Sequence, residues 1–269
     1  MMKQFMLNDQ EFKNFSQIIE QYAGIHMAEG KKALVEGRLR KRLVALNLET
    51  YNDYYKIVRN DNNKTERQLF IDLLTTNETW FFREENHFNF LKKILDDRNP
   101  QQPMNIWSAA CSSGQEPYSI AMLMAEEREL SRPWNILGTD ISNKILTSAK
   151  KGVYLKKNIK GLSKTRVRRF MLNGVRSMSE YLAIVPELKK RIDFQPYNLT
   201  SSPLPSIKYD VIFCRNVLIY FDNDTKKKVI DRLIKALKTE GYLFTGHSES
   251  LHGVYDNLKV INPSIYQRI

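Results

Sequence analysis

The run Thr76-Asn77-Glu78-Thr79-Trp80-Phe81-Phe82-Arg83 sets three adjacent aromatics between a polar cluster and an arginine. An amide, a carboxylate, hydroxyls and a guanidinium can orient a charged small molecule, and aromatics can wall it off from water. The same octet would also serve as a buried turn between two helices. Further positions strengthen the pocket reading. Ser108-Ala109-Ala110-Cys111-Ser112-Ser113-Gly114-Gln115-Glu116, Asp140, Asn198-Leu199 and Arg215-Asn216 each follow a run that reads as a strand.

Those runs predict strands over 104–110, 136–139, 192–197, 209–214, 241–245 and 260–268. Helical patterns over 116–130, 142–151 and 224–237 alternate with them. This alternation predicts an α/β fold with a doubly wound, mostly parallel sheet. In such sheets ligands bind beyond the carboxyl ends of the strands, where strand order reverses. Before residue 104 the periodicity is helical. Phe12, Phe15, Ile19 and Tyr22 share one face, and Leu34, Leu39, Leu43 and Leu46 form a second stripe. Asp9 and Thr50 are candidate N-caps and Gly24 a candidate stop. The chain therefore divides into a small all-α domain (1–82), a connecting helix and proline-containing linker (83–103), and a sheet domain (104–269). Short strand patterns near 181–185 and 190–194 place a small β-containing insertion at about 165–195.

The loop after the first strand lacks GxGxxG and offers Gly114 and Glu116 instead. A glutamate repels a dinucleotide pyrophosphate and attracts an ammonium. That favours a cofactor with an amino-acid end, such as S-adenosylmethionine, over NAD. GxxxxGK[ST] is also missing, which argues against a P-loop nucleotide. Asp140, at the next strand end, can accept from both hydroxyls of a ribose.

Composition sets the outer bounds. Of 269 residues, 42% are hydrophobic and 27% charged, the profile of a globular chain with a real core. No apolar run approaches the ~20 residues that span a bilayer. The start, Met1-Met2-Lys3-Gln4-Phe5, lacks an apolar signal core, so a cytoplasmic location without membrane insertion is expected. Cys111 and Cys214 read as buried wall residues at strand ends, and four scattered histidines without ligand spacing predict no metal site. The formal charge of +12 favours an anionic partner. Lys31, Lys32, Arg38, Arg40, Lys41 and Arg42 crowd one helix, with only Glu29 and Glu36 nearby in sequence. Like charges at helical spacing repel, so this face is most easily explained against an acidic surface.

These motifs together resemble the chemotaxis receptor methyltransferase family, CheR. The resemblance runs through residues 76–83, IWSAACSSGQEPYSIAM (106–122), Gly138-Thr139-Asp140-Ile141-Ser142, FCRNVLIYFD (213–222) and GYLFTGHSESL (241–251), in family order. Asn198-Leu199 also fits, and Ala110 stands where many members have glycine. The resemblance implies the class I S-adenosylmethionine-dependent methyltransferase fold and O-methylation of glutamate side chains on methyl-accepting chemotaxis receptors, leaving S-adenosylhomocysteine. It implies that Asn77, Thr79, Arg83, Glu116, Asp140, Asn198, Leu199, Asn216 and Val217 bind the cofactor, and that Arg83 and Tyr220 flank the reacting methyl. It also implies that the helical domain contacts the acidic helical cytoplasmic region of the receptor, matching the basic helix. Some members grip a receptor's C-terminal tail peptide with the inserted subdomain. Two other readings stay open: a nucleic-acid methyltransferase, permitted by the charge and the basic 156–169 segment, and a cofactor-binding regulator without turnover. No aromatic ladder interleaves with the basic run, which argues against nucleic acid.

Overall fold

The computed structural model describes residues 6–128, 130–251, 253 and 255–269. The N-terminal stretch Met1 to Phe5, from which the missing signal core was read, lies outside them. Four helices come first: α1 Asp9–Ala23, α2 Lys32–Ala45, α3 Tyr51–Arg59 and α4 Lys64–Leu74. Their core is aromatic, with the Phe15 ring centred 6.0 Å from Tyr54 and 5.6 Å from Phe70. Asn8, not Asp9, caps α1. Its side chain accepts from the Glu11 amide while Glu11 reaches back to the Asn8 amide. Gly24 ends α1 in the left-handed region and Thr50 caps α3, both as expected. On α2 the buried seam is Val35, Leu39 and Leu43. Leu34, expected in that stripe, is instead half-buried and faces the cavity described below. Two positions so close in sequence cannot both sit at the centre of a 3.6-residue stripe.

Helix α5 (Glu85–Asp96) leads into β1 Met104–Ala109, α6 Gln115–Glu127, β2 Trp134–Asp140 and α7 Asn143–Lys151. There follow β3 Val153–Leu155, α8 Lys164–Phe170, β4 Met171–Asn173, β5 Tyr181–Ile184, the single turn α9 Pro186–Lys189, and β6 Ile192–Pro196. The chain closes with β7 Tyr209–Cys214, α10 Asn223–Ala236, β8 Leu237–Thr245, β9 Leu258–Asn262 and β10 Ile265–Arg268. The main sheet runs β6-β2-β1-β7-β8-β10-β9. Strands β6, β2, β1, β7 and β8 are parallel, and β10 pairs antiparallel with both β8 and β9. Every residue of β7 is buried, as a central parallel strand requires.

Two expectations change here. The terminal strand predicted at 260–268 is a hairpin, because Pro263 has no amide to donate and Ser264 adopts φ +64°. The insertion expected at about 165–195 begins earlier and ends sooner. Its three-stranded antiparallel sheet, β3-β5-β4, spans 153–184. Strand β6 pairs in parallel with β2 instead, and its Phe194 ring fills the space where a side chain at Gly138 would stand. The basic segment 156–169 folds over the aromatic octet. Arg166 lies 3.7 Å above the Phe82 ring and forks onto Glu126. At Gly161, φ is +90° and a Cβ would collide with the Phe81 carbonyl, so glycine alone permits this approach. Among the described residues no helix is long and apolar enough to cross a membrane.

Candidate active site

The C-terminal edge of the parallel strands and the N-terminal helices α1, α2 and α4 enclose a cavity of about 560 Å³. Its place is the switch point of the sheet: β1 is followed by β2 on one side and has β7 on the other. Asn77, Thr79, Arg83, Glu116, Asp140, Asn198, Leu199, Asn216, Val217 and Tyr220 all line it. From the basic set only Lys31 and Arg38 do so.

The octet is anchored through its aromatics. Phe81 and Phe82 are buried core residues, with Phe81 edge-on to Tyr154 at 5.0 Å and the Phe82 amide donating to Ser119 Oγ at 2.9 Å. Only Trp80 reaches the cavity, so the expected three-ring wall is one ring. Cations cover that ring: the Arg83 guanidinium at 4.4 Å and the Lys160 ammonium at 5.0 Å. Arg83 donates to the Glu78 carbonyl at 3.0 Å. Backbone strain collects around the same space. Phe82, Glu84, Ala110, Ser112 and Asn216 all have φ between +50° and +65°, at roughly 1–3 kcal/mol each. Ala110, at φ +65°, occupies a conformation that suits glycine.

Glu116 sits in the first turn of α6, where the helix dipole favours a carboxylate. It accepts from Ser108 Oγ at 2.7 Å and from Arg215 at 2.9 Å. Burial pushes its pKa up, and Arg215 and Ser108 only partly offset that. Arg215 is a hub: it also pairs with Glu84 at 3.1 Å and donates to the Arg83 carbonyl. Glu84 in turn accepts from Asn216 Nδ2 at 3.2 Å. Burial alone would raise the Glu84 pKa, but Arg215 and Asn216 outweigh it and hold the carboxyl below its usual range. Asp140 follows a different design. Its two oxygens accept from the amides of Ser112 and Ser142, both at 2.9 Å. Burial still raises its pKa against those bonds. Asn198 ties the two halves together, donating to the Tyr22 carbonyl at 2.7 Å while its oxygen accepts from Thr200. Its side chain is thus a brace, and its amide donates to Ser202 Oγ at 2.9 Å.

Sequence reasoning gave no role to three further groups. Glu249, 5% exposed, accepts from the amides of Asn216 and Gly246 at 2.7 Å and of Ile219 at 3.2 Å. It fixes the loop that carries Asn216, Val217 and Tyr220, and the motif at 241–251 was the signal for it. Arg215 was seen only as a strand end. His87 and His247 were discounted for lack of ligand spacing, yet the fold brings both beside Glu84.

The basic helix is mostly committed within the protein. Arg42 forks onto Glu66 with two bonds of 2.6 Å, Lys32 pairs with Asp9, and Arg40 pairs with Glu36. Arg38 clamps the carbonyls of Leu74 and Thr75, at the entrance to the octet. Lys31 and Lys41 are exposed, with no ion pair among the described residues. Acidic relief was sparse along the sequence because it comes from α1 and α4.

Comparison with known proteins gives this geometry a family. Residues 77–266 match the CheR methyltransferase, SAM binding domain, and residues 10–75 match the CheR methyltransferase, all-alpha domain. A chemotaxis protein methyltransferase of Escherichia coli (strain K12) is 35% identical, over 99% of this chain and 93% of that one. Chemotaxis protein methyltransferase Cher2 of Pseudomonas putida is 37% identical over 96% and 97%, and that of Borreliella burgdorferi 36% over 96% and 94%. A solved O-methyltransferase family protein from Burkholderia thailandensis aligns at a TM-score of 0.35 and 11% identity, covering 71% of this chain and 43% of that chain, too distant to bear on function. Matched in both its helical and its sheet portions, the chain belongs to the CheR family of S-adenosylmethionine-binding chemotaxis methyltransferases.

Proposed function

We propose that the protein methylates glutamate carboxylates of chemotaxis receptors in the cytoplasm, forming methyl esters. The observation that carries this reading is the pairing of two carboxylates, the largely covered Glu116 and the buried Asp140, just beyond adjacent strand ends of one cavity. They suit S-adenosylmethionine: Glu116 faces where an ammonium would lie and Asp140 where ribose hydroxyls would lie. A carboxylate has about four lone-pair sites, so both keep acceptor capacity beyond their present bonds. The apolar flanks of Leu199 and Val217 suit an adenine ring. When bound, the cofactor supplies an electrophilic methyl on a positively charged sulfur. A glutamate acceptor, with an ordinary side-chain pKa of about 4.3, is already ionised at neutral pH and needs no base.

The protein's task is then placement, worth roughly 7–11 kcal/mol in favourable cases. Arg83, held over Trp80, can orient the incoming carboxylate without seizing both its oxygens. The Tyr220 phenol can donate one hydrogen bond without adding charge. Lys31 and Lys41, the uncommitted cations of the helical side, are proposed to meet the acidic receptor helices. A receptor tail peptide would find the β3-β5-β4 sheet.

The test is to incubate the protein with methyl-labelled cofactor and receptor-containing membranes. Label that is released by mild alkali, and sharply reduced in an Arg83→Ala variant that stays folded, is the expected result. Label on RNA or DNA instead, or cofactor binding with no transfer to any acceptor, would favour the two other readings.

A further inference from the structure

Glu84 and His87 lie at the N-terminal end of α5, three residues apart, and His247 lies in the loop after β8. The fold closes the distance between them. One ligand atom from each falls within 4.8 Å of the others. His87 Nδ1 stands 3.5 Å from Glu84 Oε2, and His247 Nε2 stands 3.8 Å from the same oxygen. Two ligands held about 2.0–2.1 Å from a tetrahedral zinc ion stand about 3.4 Å apart, so little movement is required.

The second observation is independent of spacing. His87 is 1% exposed, and neither ring nitrogen has a hydrogen-bond partner. Glu84 Oε2 also lacks a hydrogen bond, although Arg215 pairs with it electrostatically. Buried polar atoms are almost always satisfied, so His87 Nδ1 and Glu84 Oε2, which face each other without a hydrogen bond, call for a missing partner. A separate opening of about 340 Å³, lined by His87, His247, Asn86 and Asn262, reaches this point from outside the methyl-transfer cavity.

We infer that Glu84, His87 and His247 bind a single divalent transition-metal ion of the zinc class. Two imidazoles and one carboxylate match that class and disfavour the oxygen-seeking magnesium and calcium. Arg215 is the opposing charge. It shares Glu84 Oε2, and a bound dication would draw that oxygen away, leaving Arg215 with Glu116 and the Arg83 carbonyl. The fourth coordination position would face the opening and take water.

Full-length, tag-free, metal-stripped protein should be titrated with zinc against a chromogenic chelator. One equivalent should bind, and His247→Ala should weaken binding at least tenfold. His247 is 53% exposed at its side chain, so this variant should keep its fold, checked by circular dichroism. Cobalt(II) added to the unaltered protein should give the intense visible absorption of a four-coordinate site. Absent zinc binding, equal binding by His247→Ala, or only the faint spectrum of aqueous cobalt would each overturn the inference.

Discussion

The cofactor-side pocket and helix α2 both carry concentrated charge, and they handle it in opposite ways. In the pocket a few ionised groups are buried and answered by one another or by backbone amides, as with Arg215 between Glu116 and Glu84, or Asp140 under Ser112 and Ser142. Across Lys31 and α2 six cations stand close together, but four are answered within the helical bundle and two remain exposed. The lesson is that the number of charges on an element says little about a partner. What matters is which charges the fold leaves unanswered. In the pocket, the unanswered capacity points inward, toward a ligand. On α2 it lies at the exposed Lys41, while Lys31, just before the helix, is exposed and also lines the cavity.

The sharpest way to break this contrast is Arg215→Ala. It strands two carboxylates in a buried site, and stability should fall by about 3–5 kcal/mol, read by urea denaturation. A loss under about 1 kcal/mol would mean that water already shares the pocket and that the buried-pair description is wrong.

A smaller effect comes from forcing a new charge into the same region. The unfolded chain protonates His87 near pH 6.5, whereas the folded chain resists down to about 3. Between those values the unfolded state binds the extra proton, so stability falls as pH is lowered. From pH 6.5 to 5 the loss should be roughly 2 kcal/mol. His87→Gln should flatten that part of the curve. Glu84, Glu116 and Asp140 titrate in both proteins, so the difference between the two curves isolates His87. The comparison should be made in chelator. Parallel curves would place water, not a dry cavity, around the ring.

The mildest test separates cations within α2. Arg42→Ala should cost about 1–2 kcal/mol, since Arg42 and Glu66 are only partly exposed and their fork is lost with it. Lys41→Glu should leave stability unchanged, and slow receptor methylation in a way that added salt erases. If Arg42→Ala were harmless to stability and crippling to receptor binding, the roles of these two residues would be reversed.

Much of this was legible from the chain. Tyr209–Cys214 reads as a strand from its unbroken apolar run, and it is one, residue for residue. Gly24, Thr50 and Ser142 mark helix boundaries because their chemistry is local. Each predicted cofactor residue reaches the cavity, and those that follow strands do so because strand ends in a parallel sheet converge on one edge. Other features were hidden for physical reasons. Phe81 and Phe82 read as pocket walls, but an aromatic's sequence neighbours do not tell which way it packs. Strand β6 looked like part of the insertion because strand pattern does not name the sheet that a strand joins.

The sequence by itself determined the helical-then-alternating order, the octet, the acidic strand ends and the family, because each is written in local composition and period. Only the tertiary structure decided which charges are answered, since Arg42 finds Glu66 across 24 residues, Arg215 finds Glu116 across 99, and Asn216 finds Glu84 across 132. An ion pair depends on distance through space and on the exclusion of water, and packing sets both.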